Sequence, residues 1–221
     1  MKPLHLSSEK GIYLVVDPSS KSEKELFQTL ERVFRQPLIA LQIWDNFSDD
    51  QHKRRFIEKL CSLAAPYPFP VLIDNGWEWV TKTTLDGVHF DEIPENFAEI
   101  SSQLPENALL GLTCTNDLSS MRWAEKNGFD YISFCSVFPS PSAGACELVS
   151  EDTLRAASTE SQLPFFLAGG IRTDNLHRLA GIPYRGLALI SGILAQPDPE
   201  AAMTQFIDLL QTNQQNETND N

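Results

Sequence analysis

The chain has 221 residues, 42% of them hydrophobic, and a formal net charge of −13 at pH 7. A chain of this length and composition can bury one substantial core, and its negative charge argues against nucleic acid and anionic membrane surfaces as partners. No apolar run approaches the roughly 18 residues that a membrane-spanning helix needs, and the first residues, MKPLHLSSEKG, hold no apolar signal core, so we expect a cytoplasmic protein.

Short apolar runs, typical of buried parallel strands, alternate along the chain with segments of helical period. The predicted strands are residues 11–17, 38–44, 70–74, 87–90, 109–113, 131–135, 164–168 and 186–190. The predicted helices are 22–35, 49–65, 77–83, 95–103, 118–127, 150–161, a segment starting near Asp174 or Asn175, and 199–210.

This alternation predicts a single (β/α)₈ TIM barrel over residues 1–212. A flavodoxin-like sheet, the alternative, uses five strands and would leave three β/α units over. Residues 213–221 are polar, and we expect them to form an unstructured tail.

Two strand-to-helix turns near the end of the chain suit an anion. Gly169 and Gly170 follow the seventh predicted strand, and Ser191 and Gly192 follow the eighth. Glycine lets the backbone approach a ligand closely, and the loops after these two strands are a common phosphate site in such barrels. The turns therefore predict a phosphate site, with plain tight turns as the alternative.

A long connection after the sixth predicted strand, SVFPSPSAGACE, adds hydroxyl groups to the same end of the barrel. Ser140 and Ser142 would donate hydrogen bonds to a phosphate held at Gly170 and Ser191. Proline and serine are also typical of surface turns, so an ordinary loop is the other interpretation.

Polar side chains at other strand ends are candidates for chemistry. His89, at the end of the fourth strand, is a candidate general acid or base or a hydrogen-bonded wall residue. Asp74, Asp91 and Glu92 could ligate Mg²⁺ or be solvated acids, and we favour solvated acids and predict no metal site. The cysteines (Cys61, Cys114, Cys135 and Cys146) have no metal-binding spacing. Because no lysine follows Lys126, Schiff-base chemistry at the sixth strand is excluded.

The sequence resembles the thiamine phosphate synthase and thiazole tautomerase (TenI-like) superfamily over about residues 11–210. The matching stretches are YLVVD, LQIWDN, VLIDN, DGVHF, GLT, DYISFCSVFPSPS, LAGGIRTDN and LALISGI, which begin at Tyr13, Leu41, Val71, Asp86, Gly111, Asp130, Leu167 and Leu187. The resemblance implies a TIM-barrel protein of thiamine biosynthesis. A synthase joins thiazole phosphate to a pyrimidine-methyl diphosphate and uses Mg²⁺ to stabilise the departing diphosphate.

The resemblance also implies which residues bind the substrates. Those of the thiazole-phosphate half correspond here to Ser140, Ser142, Gly170, Ile190 and Ser191, next to Gly169. The pyrimidine-contacting glutamine corresponds to Gln42, and a serine of the fifth strand corresponds to Thr113.

The diphosphate half departs from the family pattern. Trp44 and Asn46 stand at positions that are usually basic, and Ala143 replaces a lysine. Asp74, Asn75 and Gly76 replace an Asn-Asp-Arg motif. We therefore expect Mg²⁺ to bind only if synthase activity is retained.

Several functions remain open at this point. The first is a divergent synthase or a tautomerase acting on thiazole phosphate; the tautomerase histidine is replaced here by Cys114-Thr115, so His89 would have to act as the acid or base. The second is a catalytically silent binder of a small phosphate, and the third a phosphate-binding barrel of other metabolism. The first is favoured, with a homo-oligomer possible and thiazole phosphate as the ligand.

Overall fold

The structure is a computed structural model that describes residue 2, residues 10–140 and residues 147–219, with side chains described as far as residue 214. The strands are β1 (Gly11–Val16), β2 (Ala40–Ile43), β3 (Val71–Asp74), β4 (Gly87–Phe90), β5 (Leu109–Cys114), β6 (Tyr131–Cys135), β7 (Phe165–Ala168) and β8 (Gly186–Leu189). The helices are α1 (Glu23–Val33), α2 (Asp50–Ala64), α3 (Glu78–Lys82), α4 (Phe97–Gln103), α5 (Ser119–Lys126), α6 (Glu151–Glu160), α7 (Ser191–Leu194) and α8 (Pro199–Asn219), with a 3₁₀ helix at Leu176–Leu179.

The eight strands form a closed parallel barrel in sequential order. The first and last strands complete the closure, with Tyr13 of β1 paired with Ala188 of β8. The predicted single (β/α)₈ TIM barrel is therefore confirmed. None of the helices in the described part of the chain is long and apolar enough to cross a membrane.

Local sequence fixes where several helices begin. The side chain of Ser22 accepts a hydrogen bond from the Glu25 amide at the start of α1, and Asp49 accepts one from the His52 amide, 2.7 Å away, at the start of α2. Ser150 caps α6 in the same way. Each such cap satisfies a backbone donor that the helix leaves unpaired and typically stabilises by about 1 kcal/mol.

Alternate residues of each strand face opposite sides of the barrel wall. Ile12, Leu14 and their counterparts on the other strands form the main core under the helices. Tyr13, Tyr131 and Phe166 belong to a second cluster, with ring centroids 5.3 to 5.8 Å apart. The three rings pack together inside the barrel, and ligands of such barrels bind at the carboxyl ends of the strands.

Two segments differ from the expectation. After β7 the helical segment is a short 3₁₀ helix at Leu176–Leu179, and Gly181, with φ at 74°, and Pro183 follow it closely and prevent its continuation. Residues 213–219, which we expected to belong to a tail, continue α8 to Asn219. Extending an existing helix needs no new nucleus, and glutamine and glutamate are good helix formers.

Candidate active site

A cavity of about 100 Å³ lies between the carboxyl ends of β6, β7 and β8. Its lining includes five of the predicted ligand residues: Ser140, Gly169, Gly170, Ile190 and Ser191. Ser142 lies outside the described residues. The structure thus brings the residues of three separate loops to one small space.

The two glycines of this cavity are required by its shape. Gly169 and Gly170 have φ values of 88° and 64°. A Cβ atom on Gly169 would lie 2.1 Å from Ser136 Oγ, and one on Gly170 would lie 2.5 Å from the carbonyl oxygen of Pro139. Any larger residue would push the β6–α6 connection away from the turn after β7.

Asn175 holds the glycine turn in place, a role that the sequence analysis missed. Its Nδ2 donates to the Gly170 carbonyl at 2.9 Å, and its Oδ1 accepts from the Arg172 amide at 2.9 Å. The side chain is 9% exposed, so both bonds are shielded from water. An asparagine shortly after a Gly-Gly turn is the sequence signal for such a clamp.

No Asp, Glu, Lys, Arg or His side chain is among the described residues that line the cavity. Arg172, in the neighbouring loop, is exposed and paired with Asp174 at 3.0 Å. An anion in the cavity would therefore be met by backbone amides and serine hydroxyls, as expected for an acidic chain.

Gln42, His89 and Thr113 do not line this cavity and lie inside the barrel. His89 Nε2 is 2.9 Å from Thr113 Oγ1, and His89 Nδ1 is 3.1 Å from the hydroxyl oxygen of Tyr131. The Tyr131 hydroxyl is 2.8 Å from that of Tyr13, which donates to Gln42 Oε1 at 2.8 Å. A single hydrogen-bonded chain therefore joins the three predicted residues.

The two tyrosines of this chain were not predicted as site residues. Tyrosine in a buried strand is usually interpreted as core, and its hydroxyl usually finds a partner there. The available signal was the alternation: Tyr13 in β1, Gln42 in β2 and Tyr131 in β6 all occupy interior-facing positions of their strands.

His89 is neutral at physiological pH. The side chain is 4% exposed, and burial lowers its pKa to about 4, although the charge of Asp91 acts in the opposite direction. Both ring nitrogens are within hydrogen-bond distance of protein hydroxyl groups. This environment is typical of a hydrogen-bonded residue in the barrel wall, and a catalytic role for His89 stays a prediction.

Carboxylates dominate the ends of β2 to β4. Burial, and then the charges of Asp91 and Asp45, raise the pKa of Asp74 to about 8. Asn75, with φ at 53°, donates to Asp91 Oδ2 at 2.9 Å and accepts from the Asp91 amide at 3.0 Å. Lys53 Nζ is 2.6 Å from Asp45 Oδ2, so the positive charge at this side is already neutralised.

The residues at this side do not fit a magnesium ion. Among the described residues, no group of three or more histidine, cysteine, aspartate or glutamate side chains could hold a metal. Asp74 keeps its proton at neutral pH, because of its raised pKa, and a protonated carboxyl is a poor ligand. Asp91 is engaged by Asn75.

Trp44, at one of the positions where the resemblance leads us to expect a basic residue, contributes an apolar surface instead. It is partly buried and, like Ala188 and Ile190, packs against the interior cluster that contains Tyr13 and Val15. Ala188, Ile190 and Val15 also line the cavity between β6 and β8. The two sides of the barrel mouth are therefore continuous through this apolar surface.

The sequence matches the family described as thiamine monophosphate synthase over residues 12–193. A thiamine-phosphate synthase of Halorhodospira halophila is 28% identical over 197 residues, which cover 89% of this chain and 92% of that protein. One of Thermoplasma acidophilum is 26% identical over 204 residues, with 89% and 91% covered.

Among solved structures, a thiamine phosphate pyrophosphorylase from Pyrococcus furiosus has the same fold, with a TM-score of 0.78 at 22% identity. The alignment covers 92% of this chain and 96% of that one. The family match extends from β1 to α7 and so includes every strand of the barrel and both glycine turns. The chain therefore belongs to the thiamine monophosphate synthase family.

Proposed function

We propose that this protein is a transferase of the thiamine phosphate synthase type, which keeps the thiazole-phosphate half of the site and has a weakened diphosphate half. In the reaction, the ring nitrogen of thiazole phosphate forms a bond to the methylene carbon of the pyrimidine-methyl diphosphate. The bond from that carbon to oxygen breaks, and diphosphate leaves with the electron pair. The observation that carries the proposal is the cavity between β6 and β8, where none of the described lining residues is charged, in a chain of the thiamine monophosphate synthase family.

The cavity suits the phosphate of thiazole phosphate. Ser140 and Ser191 border it, and the backbone of Gly169 and Gly170 comes close because neither glycine has a side chain. Amides and hydroxyls fixed in this way bind an anion without bringing an opposite charge. The apolar lining next to it, with Val15, provides a surface for the ring.

The opposite side of the mouth supplies little to a departing diphosphate. Trp44 and Asn46 replace cations, and Asn46 is itself bonded to Asp17 Oδ1 and Ser19 Oγ at 3.2 and 2.8 Å. Each well-placed donor to a developing charge is typically worth about 3 kcal/mol. We therefore expect the missing donors to slow the transfer by several powers of ten.

The experiment is a turnover assay with purified protein, thiazole phosphate, hydroxymethylpyrimidine diphosphate and Mg²⁺, which follows thiamine phosphate. We expect slow turnover that Ser191→Glu abolishes. No turnover, while calorimetry still shows binding of thiazole phosphate, would contradict the transferase proposal. A parallel titration of the diphosphate with and without Mg²⁺ shows whether the metal contributes to its binding.

A gain-of-function variant tests the weakened half directly. Trp44→Arg with Asn46→Lys restores two positive charges at the end of β2, and we expect kcat/KM for the diphosphate substrate to rise at least about tenfold. Trp44→Phe, which keeps an aromatic ring without a charge, is the matched control. An unchanged rate in the double variant would show that these positions do not limit the reaction.

The carboxylates at the ends of β2 to β4 favour a second candidate, which needs no diphosphate. The protein would bind thiazole phosphate as a tautomerase, with His89 moving a ring proton, or without turnover. Thiazole phosphate of the non-aromatic form, incubated with the protein, would become aromatic in the first case and remain unchanged in the second.

A further inference from the structure

We propose that Tyr13 and Tyr131 are positioning residues that fix the tautomer of His89 and the orientation of the Gln42 amide. The inference deepens the proposed function, because it specifies which hydrogen bonds the barrel offers a ligand. Its main test is made on the free protein and does not depend on which substrate binds.

The donor and the acceptor of each hydrogen bond in this series can be assigned by starting from Gln42. Its Nε2 donates to Asp74 Oδ1 at 3.2 Å, and its Oε1 accepts from the Tyr13 hydroxyl at 2.8 Å. A phenol has one proton, so Tyr13 has none left for its other neighbour. The 2.8 Å contact between the two hydroxyls must therefore be a bond that Tyr131 donates to Tyr13.

Counting the hydroxyl protons in the same way determines which nitrogen of His89 carries hydrogen. Because Tyr131 has used its proton on Tyr13, its oxygen can only accept from the imidazole, 3.1 Å away, and His89 Nδ1 must carry hydrogen. A neutral imidazole then has a lone pair on Nε2. This lone pair accepts from Thr113 Oγ1 at 2.9 Å.

Burial makes this order costly to break. Tyr13, Tyr131, His89 and Gln42 are between 0 and 7% exposed, so water does not replace a lost partner. Burial raises the pKa of both phenols, so each keeps its proton, and it lowers that of His89. An unpaired donor in such a place costs about 1 to 3 kcal/mol.

The consequence is a defined pattern of hydrogen-bond donors and acceptors at the carboxyl ends of the strands. Thr113 is half-buried, and its proton is used on His89, so its oxygen faces a ligand as an acceptor. Gln42 Nε2 has a second hydrogen that is not used in this series of hydrogen bonds. A ring with an N–H group towards Thr113 and an acceptor atom towards Gln42 fits this pattern. The two tyrosines determine the pattern through their hydrogen bonds to His89 and Gln42.

Long-range proton–nitrogen correlation spectra of ¹⁵N-histidine-labelled protein test the proposal, with His89→Asn used to assign the signal among the four histidines. We expect His89 to carry hydrogen on Nδ1 in the wild type at neutral pH. Hydrogen on Nε2 would overturn the proposal, because every hydrogen bond between His89 and Gln42 would then have its donor and acceptor exchanged. This result needs no variant of either tyrosine to fold.

Tyr13→Phe provides the sharper readout, because Tyr13 acts on His89 only through Tyr131. Without its acceptor, the Tyr131 hydroxyl is expected to donate to His89 Nδ1, and the hydrogen moves to Nε2. Tyr67→Phe, on the half-buried Tyr67 before β3, should leave the tautomer unchanged. A folded Tyr13→Phe protein with the wild-type tautomer would show that the tyrosines only fill space.

Discussion

Replacing Asp74 by asparagine should remove a large part of the pH dependence of the protein's stability. Asp74 is 3% exposed, and burial with the charges of Asp91 and Asp45 raises its pKa from 3.8 to about 8. An asparagine has nearly the same shape, carries no proton to lose, and can still accept from Gln42 through its Oδ1. The substitution therefore changes the titration and little else.

The sign follows from proton binding. Between pH 3.8 and about pH 8, Asp74 holds a proton in the folded protein that it has released in the unfolded chain. The free energy of unfolding therefore falls as pH rises through this range. Each unit of pKa difference corresponds to about 1.4 kcal/mol, which sets a ceiling of about 6 kcal/mol. Because Asp91 is exposed and solvent screens its charge, we expect about 2 to 4 kcal/mol.

The assay is denaturant unfolding of both proteins between about pH 4 and about pH 9. We expect similar stabilities at the acidic end and a more stable Asp74→Asn protein at the alkaline end, by the 2 to 4 kcal/mol given above (about 1.4 kcal/mol per pKa unit). Asp208→Asn, on the exposed face of α8, controls for the loss of one negative charge. Parallel curves for wild type and Asp74→Asn would refute the reasoning.

Three further predictions concern the cavity and His89. Ser191→Glu places a carboxylate against the anion and should weaken thiazole-phosphate binding at least about a hundredfold in calorimetry, since like charges in contact cost several kcal/mol; equal affinities would remove Ser191 from the site. Gly170→Ala should destabilise by about 2 kcal/mol or more, clearly above Gly128→Ala, which has positive φ but no atom within 4 Å of the added Cβ. His89→Asn should slow any proton transfer at least about tenfold, and an unaltered rate would leave His89 a wall residue.

The barrel could be predicted from sequence because its strands are covered on both sides. A short apolar run between polar turns is a strong signal, and β4 and β6 begin and end at the predicted residues. The end of α8 was missed because a polar sequence does not distinguish a tail from the continuation of a helix. Helix extension depends on the preceding turns, which the local composition does not reveal.

The two parts of the mouth differed in how far sequence could describe them. The turn at Gly170 is a local feature, since its glycines and the clamp of Asn175 lie within a few residues. The chain through Tyr13 and Tyr131 joins residues 118 positions apart, and its geometry exists only once the barrel closes. Local patterns were therefore enough to propose a site for an anion, which stays a prediction, whereas the order of the interior hydrogen bonds required the structure.

The charge distribution at the mouth separates two kinds of phosphate ligand. The β6–β8 side offers neutral donors, and under the proposed function these would hold one phosphate group even in a chain of net charge −13. The β2–β4 side would meet a diphosphate with the carboxylates of Asp45 and Asp91, and Lys53, which lies close to the turn at Gly76, is already paired with Asp45. We therefore expect the protein to bind a monophosphate in preference to a diphosphate, and restoring positive charge at the end of β2 should reduce that preference.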